Sequence, residues 1–317
     1  MWGGTVVDLT ALKAIVTTTD DDGWVLRVKN VATYQLDAGS SDPDAIAPDS
    51  GVGRWLPTST STPGGSSGAE VLTSNRTYYA SATGDDANDG LTSGAPVTFT
   101  KARSLAYGLF LNGYTVTIQL ADGTYTLTAP LVLRSPVGGK LVIQGNTATP
   151  ANVILNQSTA ATDCIQCDRA SNVNLKAFKI NNASGGNGLY CDRAQIEIES
   201  VVFGNAGYHI ALKDSTLDTL GYSITNQADY HLDTTNSAFN AANQTISIAG
   251  SLTFGGLFMD IKDLSRVDLT NVTFSGAGSG SSTLAKQYVV SGNSIIRTTS
   301  DIPGHIAGTS STGGRIF

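Results

Sequence analysis

Two stretches of this 317-residue chain begin with the same four residues. CDRASNVNLKAFKI starts at Cys167 and CDRAQIEIESVVF starts at Cys191, 24 residues later. SRVDLTNVTF (265–274) matches AQIEIESVVF (194–203) position by position, 71 residues away and close to three such periods. Between them AGYHIALKDST and ADYHLDTTNSA recur at a spacing of 22, from Tyr208 to Tyr230. A period drifting from 20 to 27 residues, with short alternating strands, Asn/Gly corners and no helices, describes a solenoid of β coils. One coil cannot bury its inner face alone, so stacking supplies the core, with coils about 4.8 Å apart. A leucine-rich repeat would need L-x-x-L-x-L and a terminal Asn at fixed spacing, and a β-sandwich would not require CDRA to recur. The chain therefore reads as all-β, a single-stranded parallel β-helix of about six coils and roughly 30 Å, preceded by a small β module and a linker.

The flanking segments differ in character. Residues 1–57 form an N-terminal module in which WVLRVKNVATYQLD (Trp24–Asp37) alternates as strands do. TSTSTPGGSSGA (58–69) has almost nothing to bury and reads as a flexible linker. Its GGSSG matches the spacing of a nucleophile elbow, but no strand or helix flanks it as the elbow requires. Residues 70–145 hold a cap and the first coils: an aromatic strand, a turn crowded with Asp, Asn and Gly, and the helix KARSLAYGLFL (101–111). The strands TVTIQLADGTYTL and LVLRSPVGGKLVIQG follow. Coils occupy 146–300, and 301–317 is a tail.

Composition excludes several functions. A net charge of −7 argues against nucleic acid as a partner, because phosphate binding needs a clustered basic surface. No apolar run approaches the roughly 20 residues that span a bilayer, so membrane insertion is not expected. The start has no basic segment followed by an apolar one, so the protein is expected to be made and assembled in the cytoplasm. Three cysteines do not make a disulfide framework. Cys164, Cys167, Cys191 and His209 contain zinc-ligand chemistry, but Cys167 and Cys191 share a coil position, which points to packed free thiols. A calcium loop in the polar turn fails at Ala87 and Pro96, where oxygen ligands are required. No metal and no cofactor are expected.

The turn after the aromatic strand, Tyr-x-x-Ser-x-x-Gly-Asp-x-x-Asn-Asp-Gly-Leu (78–91), is followed by a helix and ADGTY (121–125). This arrangement resembles the opening of pectate-lyase-like right-handed parallel β-helices. The resemblance implies that strand and helix cap an end whose strand edges would otherwise pair with other chains. WVLRVKNVATYQLD…DSGVGRWLP resembles N-terminal modules of phage tail fibres and tailspikes, and IPGHIAGTSSTGGRIF resembles the close of such fibres. Together these resemblances imply a virion spike or fibre that docks on head or tail proteins through residues 1–57. They imply that it binds host surface polysaccharide and is a homotrimer. Phe99, Phe110, Phe254, Phe258 and Phe317 exceed the evident needs of a narrow interior and point to the same assembly, with 301–317 ordered only through neighbouring copies.

Relatives of this kind either bind polysaccharide or cleave it, as hydrolases or lyases. Hydrolysis needs two carboxylates about 5 to 10 Å apart, which stacked coils supply readily. Asp192, Asp214, Asp260, Asp263, Glu197, Glu199 and Asp218 are candidates, each also readable as a solvated outer residue. Arg169 and Arg193 would repel as a stacked pair unless paired with Asp168 and Asp192. Binding is favoured, because the solenoid is short for a depolymerase of the resembled kind. The expected glycan contacts are His209, His231, Tyr208, Tyr230 and Asp233. Alternation places Ile210, Leu232 and both tyrosines on one face and both histidines on the other. With the aliphatics inward, the histidines would stack outside between Asp229 and Asp233.

Overall fold

The computed structural model describes residues 3–6, 9–16, 25–28, 33–37, 46–50, 52, 54–57, 69–249, 252, 254–276 and 286–317. The chain forms two compact units, Met1–Glu70 and Val71–Phe317. In the first, strands Gly3–Val6, Val25–Val28, Thr33–Asp37 and Arg54–Pro57 make one sheet in sequence order, parallel at its first pairing and antiparallel thereafter. Leu12, Tyr34, Leu36 and Trp55 form its core. The linker expected at 58–69 lies almost wholly outside the described residues.

The second unit is a parallel β-helix. Three sheets of 8, 10 and 7 strands run along it, and each strand pairs in parallel with its equivalent in the coil before and after. The smallest sheet sets seven complete coils, one more than the sequence suggested, and the ten-stranded sheet extends about 43 Å. The tail adds further pairings to the other two sheets. Thr309–Ser310 and Arg315–Ile316 pair with Val289–Val290 and Ile295–Ile296, so 301–317 continues the stack within its own chain instead of requiring a neighbour.

Repetition in sequence becomes columns in space. On the inner side Leu133, Cys167, Cys191, Leu212, Thr234, Ile261 and Val290 are consecutive register partners of the eight-stranded sheet. The three thiols are free and buried, with the Cys164 thiol pushed up to about 12 by burial. Ile196, Leu217, Phe239 and Val267 make a similar column in the ten-stranded sheet. The match between 194–203 and 265–274 holds through this strand and then slips. Ser200 and Asn271 both occupy the left-handed region, but Phe274 stands in the column of Val201 rather than Phe203. The turn after Asn271 is two residues longer, which moves the following strand.

A second ladder runs through the corner between the eight- and ten-stranded sheets. The hydroxyls of Ser215, Ser237 and Ser265 donate to the carbonyls of Lys213, Thr235 and Lys262 in their own coils. Each also accepts the backbone N–H of the residue one coil earlier, at Ala194, Ser215 and Ser237 respectively, and Ser294 accepts that of Ser265. All four serines are buried, so every bond satisfies a main-chain group that water does not reach.

The segment expected to form the cap begins with an edge strand of the ten-stranded sheet. Arg76–Ala80 pairs with Thr115–Leu120, and the helix Phe99–Tyr107 buries Phe99, Ala102 and Ala106. It ends at Gly108 rather than at 111, and Leu109–Phe110 is extended. The Asp/Asn turn is held by its own side chains: Asp85 accepts from Ala87 N, Asp86 from Thr98 N and Asp89 from Leu91 N. Three of the phenylalanines assigned to an assembly surface are instead core. Phe99, Phe254 and Phe258 are buried, while Phe110 and Phe317 are exposed.

These two ladders predict opposite responses to similar changes. Ser237→Ala leaves the Ser215 N–H buried without an acceptor and is expected to cost about 1–3 kcal/mol. The hydroxyl of Thr234, buried in the aliphatic column, has no hydrogen-bond partner, so Thr234→Val is expected to stabilise by about 1 kcal/mol. Urea unfolding midpoints that move the same way for both variants would contradict this assignment.

Candidate functional site

The repeated Tyr-His-aliphatic triplets lie on strands Ala206–Lys213 and Ala228–Thr235 of the eight-stranded sheet. Both strands depart from strict alternation in mid-course, where two consecutive residues are buried: His209 with Ile210, and His231 with Leu232. Neither histidine is exposed, at 0 % and 1 %. The expectation that they form an outer patch is therefore wrong, and so is the expected face of the tyrosines. Tyr208 and Tyr230 point outward, half-buried, while the histidines take the interior. The next coil carries the clue that period-two reasoning missed. There the pairing Tyr230 with Leu257 and Leu232 with Met259 leaves Phe258 level with His231, a position for a core residue.

Inside, the hydrogen-bond chemistry determines every proton. His209 Nε2 lies 2.8 Å from the carbonyl of Gly204, which can only accept, so this nitrogen carries hydrogen. His209 Nδ1 must then accept, and His231 Nδ1–H donates to it at 3.2 Å. His231 Nε2 in turn accepts from the hydroxyl of Tyr222 at 2.7 Å. This neutral chain runs through an aromatic cluster. Phe203 meets Tyr222 edge-on at 5.6 Å, and Phe258 stacks on His231 at 4.9 Å. Burial lowers the His209 pKa to about 4. Burial and then the charge of His209 push His231 well below its usual range.

On the outer face the same strands assemble a different set. The rings of Tyr208 and Tyr230 stack at 4.9 Å with 11° between their planes. In the adjoining outer column Asp233 and Asp260 are register partners on neighbouring coils, about 4.8 Å apart along the backbone. Lys262 Nζ bridges them, 2.5 Å from Asp233 Oδ1 and 3.4 Å from Asp260 Oδ2. Burial raises the Asp260 carboxyl above its ordinary range, with Asp233 adding to the shift. Burial pulls the Lys262 ammonium down, but the hydrogen bond and charge of Asp233 outweigh it and hold it above its usual value. Burial, then the negative charge of Asp233, raises the Tyr208 hydroxyl. Two stacked aromatic rings, two carboxylates and one ammonium thus share one surface.

Among the other candidate carboxylates, Glu197 and Asp218 are also register partners on neighbouring coils, and the rest are dispersed. Glu197 takes Lys140 and Asn174, Glu199 takes Lys176, and Asp218 accepts from Asn240, all on the ten-stranded sheet. Asp214 and Asp263 occupy left-handed corner positions. Arg193 reaches both Asp168 and Asp192, and Arg169 lies 4.0 Å from Asp168, so the arginine pair is held by alternating acids. Lys262 and Asp260 were not expected as partners of Asp233. The spacing of 27 from Asp233 to Asp260, within the repeat period, was the available signal.

The chain matches no known protein family, and no curated protein is similar to it. Among solved structures, one titled "Crystal structure of escherichia coli ybhc" is 11% identical with a TM-score of 0.45, covering 85% of this chain and 80% of that one. A rhamnogalacturonan lyase is 15% identical with a TM-score of 0.34, covering 76% of this chain and 65% of that one.

The buried histidines predict a pH dependence. In the unfolded chain His209 binds a proton below about 6.5, whereas the folded chain resists until about 4. Between these values the unfolded state binds more protons, so stability falls on acidification, by about 3 kcal/mol from His209 alone. Urea midpoints followed from pH 7 to 4 should show this loss, and a His209→Gln/His231→Phe variant should show a shallower one. Equal slopes for both proteins would refute the assignment.

Proposed function

We propose that this protein binds polysaccharide along the outer face of its eight-stranded sheet, with Tyr208, Tyr230 and Asp233 as contacts and Asp260 and Lys262 beside them. The observation that carries this reading is the stacked, half-exposed tyrosine pair set next to a carboxylate–ammonium–carboxylate bridge. Sugar rings present C–H faces that pack on aromatic rings and hydroxyls that both donate and accept, so a binding face needs apolar planes flanked by fixed polar groups. His209 and His231 have no part in contact, being enclosed. Their hydrogen bonds tie Gly204, both imidazoles and Tyr222 together behind the tyrosines.

The setting proposed is a virion spike or fibre that adsorbs to a host surface glycan, docked through residues 1–57 and assembled as a homotrimer. Sequence resemblance of the N-terminal and C-terminal segments supports it. Light scattering that gives a mass other than three chains would remove the trimer.

A second reading, polysaccharide cleavage, is favoured by one specific observation. Asp233 and Asp260 are neighbouring carboxylates, and burial raises the Asp260 carboxyl, which suits a group that must give up a proton.

One experiment separates the readings. Host capsule or lipopolysaccharide is incubated with the protein, and both co-sedimentation and glycan chain length are measured. Binding without shortening is expected, with Tyr208→Ala/Tyr230→Ala weakening it about 10- to 30-fold. Shortening that disappears in Asp260→Asn would replace binding by cleavage. Unchanged affinity in the folded double tyrosine variant would end the proposal for this face.

A further inference from the structure

A cavity of about 340 Å³ opens on a different part of the solenoid, where the ten-stranded sheet turns into the seven-stranded one in the first coils. That volume is in the range of small-molecule sites. Its floor is an outer column in which Tyr79, Gln119 and Gln144 are consecutive register partners. Ser93 and Pro96 of the cap turn form one wall, and corner residues of two coils, including Asp122 and Asn146, form the other.

The polar groups here are held in place without a ligand. Gln119 Nε2 donates to the carbonyls of Gln144 and Gly145 at 3.3 and 2.9 Å, and its oxygen accepts from Gln144 Nε2 at 2.7 Å. No described hydrogen bond uses the Gln144 carboxamide oxygen, and that side chain is half-exposed in the cavity. The Asp122 carboxylate accepts from Asn146 Nδ2 at 2.9 Å and Asn152 Nδ2 at 3.1 Å, while Asn146 Oδ1 accepts from the backbone of Ala148 and Thr149. Tyr79 is half-exposed at the end of the column.

The charge of the lining narrows the ligand. Among the described residues no Lys, Arg or His lines the cavity, and its one carboxylate is Asp122. The next cation along the column, Lys176, is engaged with Glu199 at 2.8 Å. An anionic ligand would meet a carboxylate with no compensating charge, whereas amides and a carboxylate pair well with hydroxyls, which donate and accept.

We propose that this cavity is a second saccharide site, specific for an uncharged sugar, with a ring against Tyr79 and hydroxyls on Gln144 and Asp122. It is separate from the tyrosine–aspartate face, on another sheet, and neither site requires the other.

The test uses the full chain labelled with nitrogen-15 and two probes, the neutral trisaccharide maltotriose and the anionic tri-galacturonate. Side-chain amide signals of Gln119 and Gln144, identified by their loss in Gln119→Ala and Gln144→Ala, are followed during titration to about 10 mM. Maltotriose is expected to shift both signals, and tri-galacturonate to leave them in place. Gln144→Ala should weaken the maltotriose response, read on the Gln119 signal, about tenfold. Tyr208→Ala/Tyr230→Ala should leave it unchanged, which keeps failure here distinct from failure of the other face. Signals that stay still with maltotriose, or that move equally with tri-galacturonate, would overturn the proposal.

Discussion

Parallel backbone pairing between successive coils is the constraint from which the rest of the solenoid follows. A parallel strand holds its neighbour at fixed register, so a residue facing inward in one coil meets its equivalent about 4.8 Å away in the next. Unlike a hairpin sheet, this arrangement has corners in every coil, and each corner exposes main-chain groups to an interior without water. The serine ladder answers that need at one corner, each hydroxyl joining its own coil to the one before. Left-handed residues such as Arg193, Asp214 and Asn236 turn the chain just ahead of it. Core and corners are thus repeated solutions to one geometric problem.

The same register shapes the surface. Because outer positions also align, a chemical group that recurs at the repeat period becomes a row. Tyr208 and Tyr230 form a stacked plane in this way, and Asp233 and Asp260 a carboxylate pair. Gln119 and Gln144 form an amide pair by the same means on another sheet. Behind the tyrosine row, where strict alternation breaks, two histidines lie in the core. Their single consistent proton arrangement, ending on Gly204 and Tyr222, leaves both imidazoles neutral.

Much of the fold is legible in the sequence, for a physical reason. Stacked coils need like residues at like positions, so the recurrence of CDRA at 167 and 191 is itself the mark of a solenoid. Cys167 and Cys191 duly lie side by side in the interior. What is not legible depends on departures from regular strand geometry. Strict alternation cannot place both His209 and Ile210 inside, yet both are buried. The final rungs escape because Thr309–Ser310 and Arg315–Ile316 are too short to show a pattern. Lys262 escapes as a partner of Asp233 because they meet only across coils.

The central claim is that Tyr208 and Tyr230, outward where strict alternation breaks, face a polysaccharide while the groups behind them stay sealed. Tyrosine nitration read by mass spectrometry, with and without host polysaccharide, tests it directly. Without glycan, Tyr208 and Tyr230 should be modified and Tyr222 should not. With glycan, the first two should become protected. Nitration of Tyr208 and Tyr230 that persists unchanged under bound polysaccharide would contradict the account.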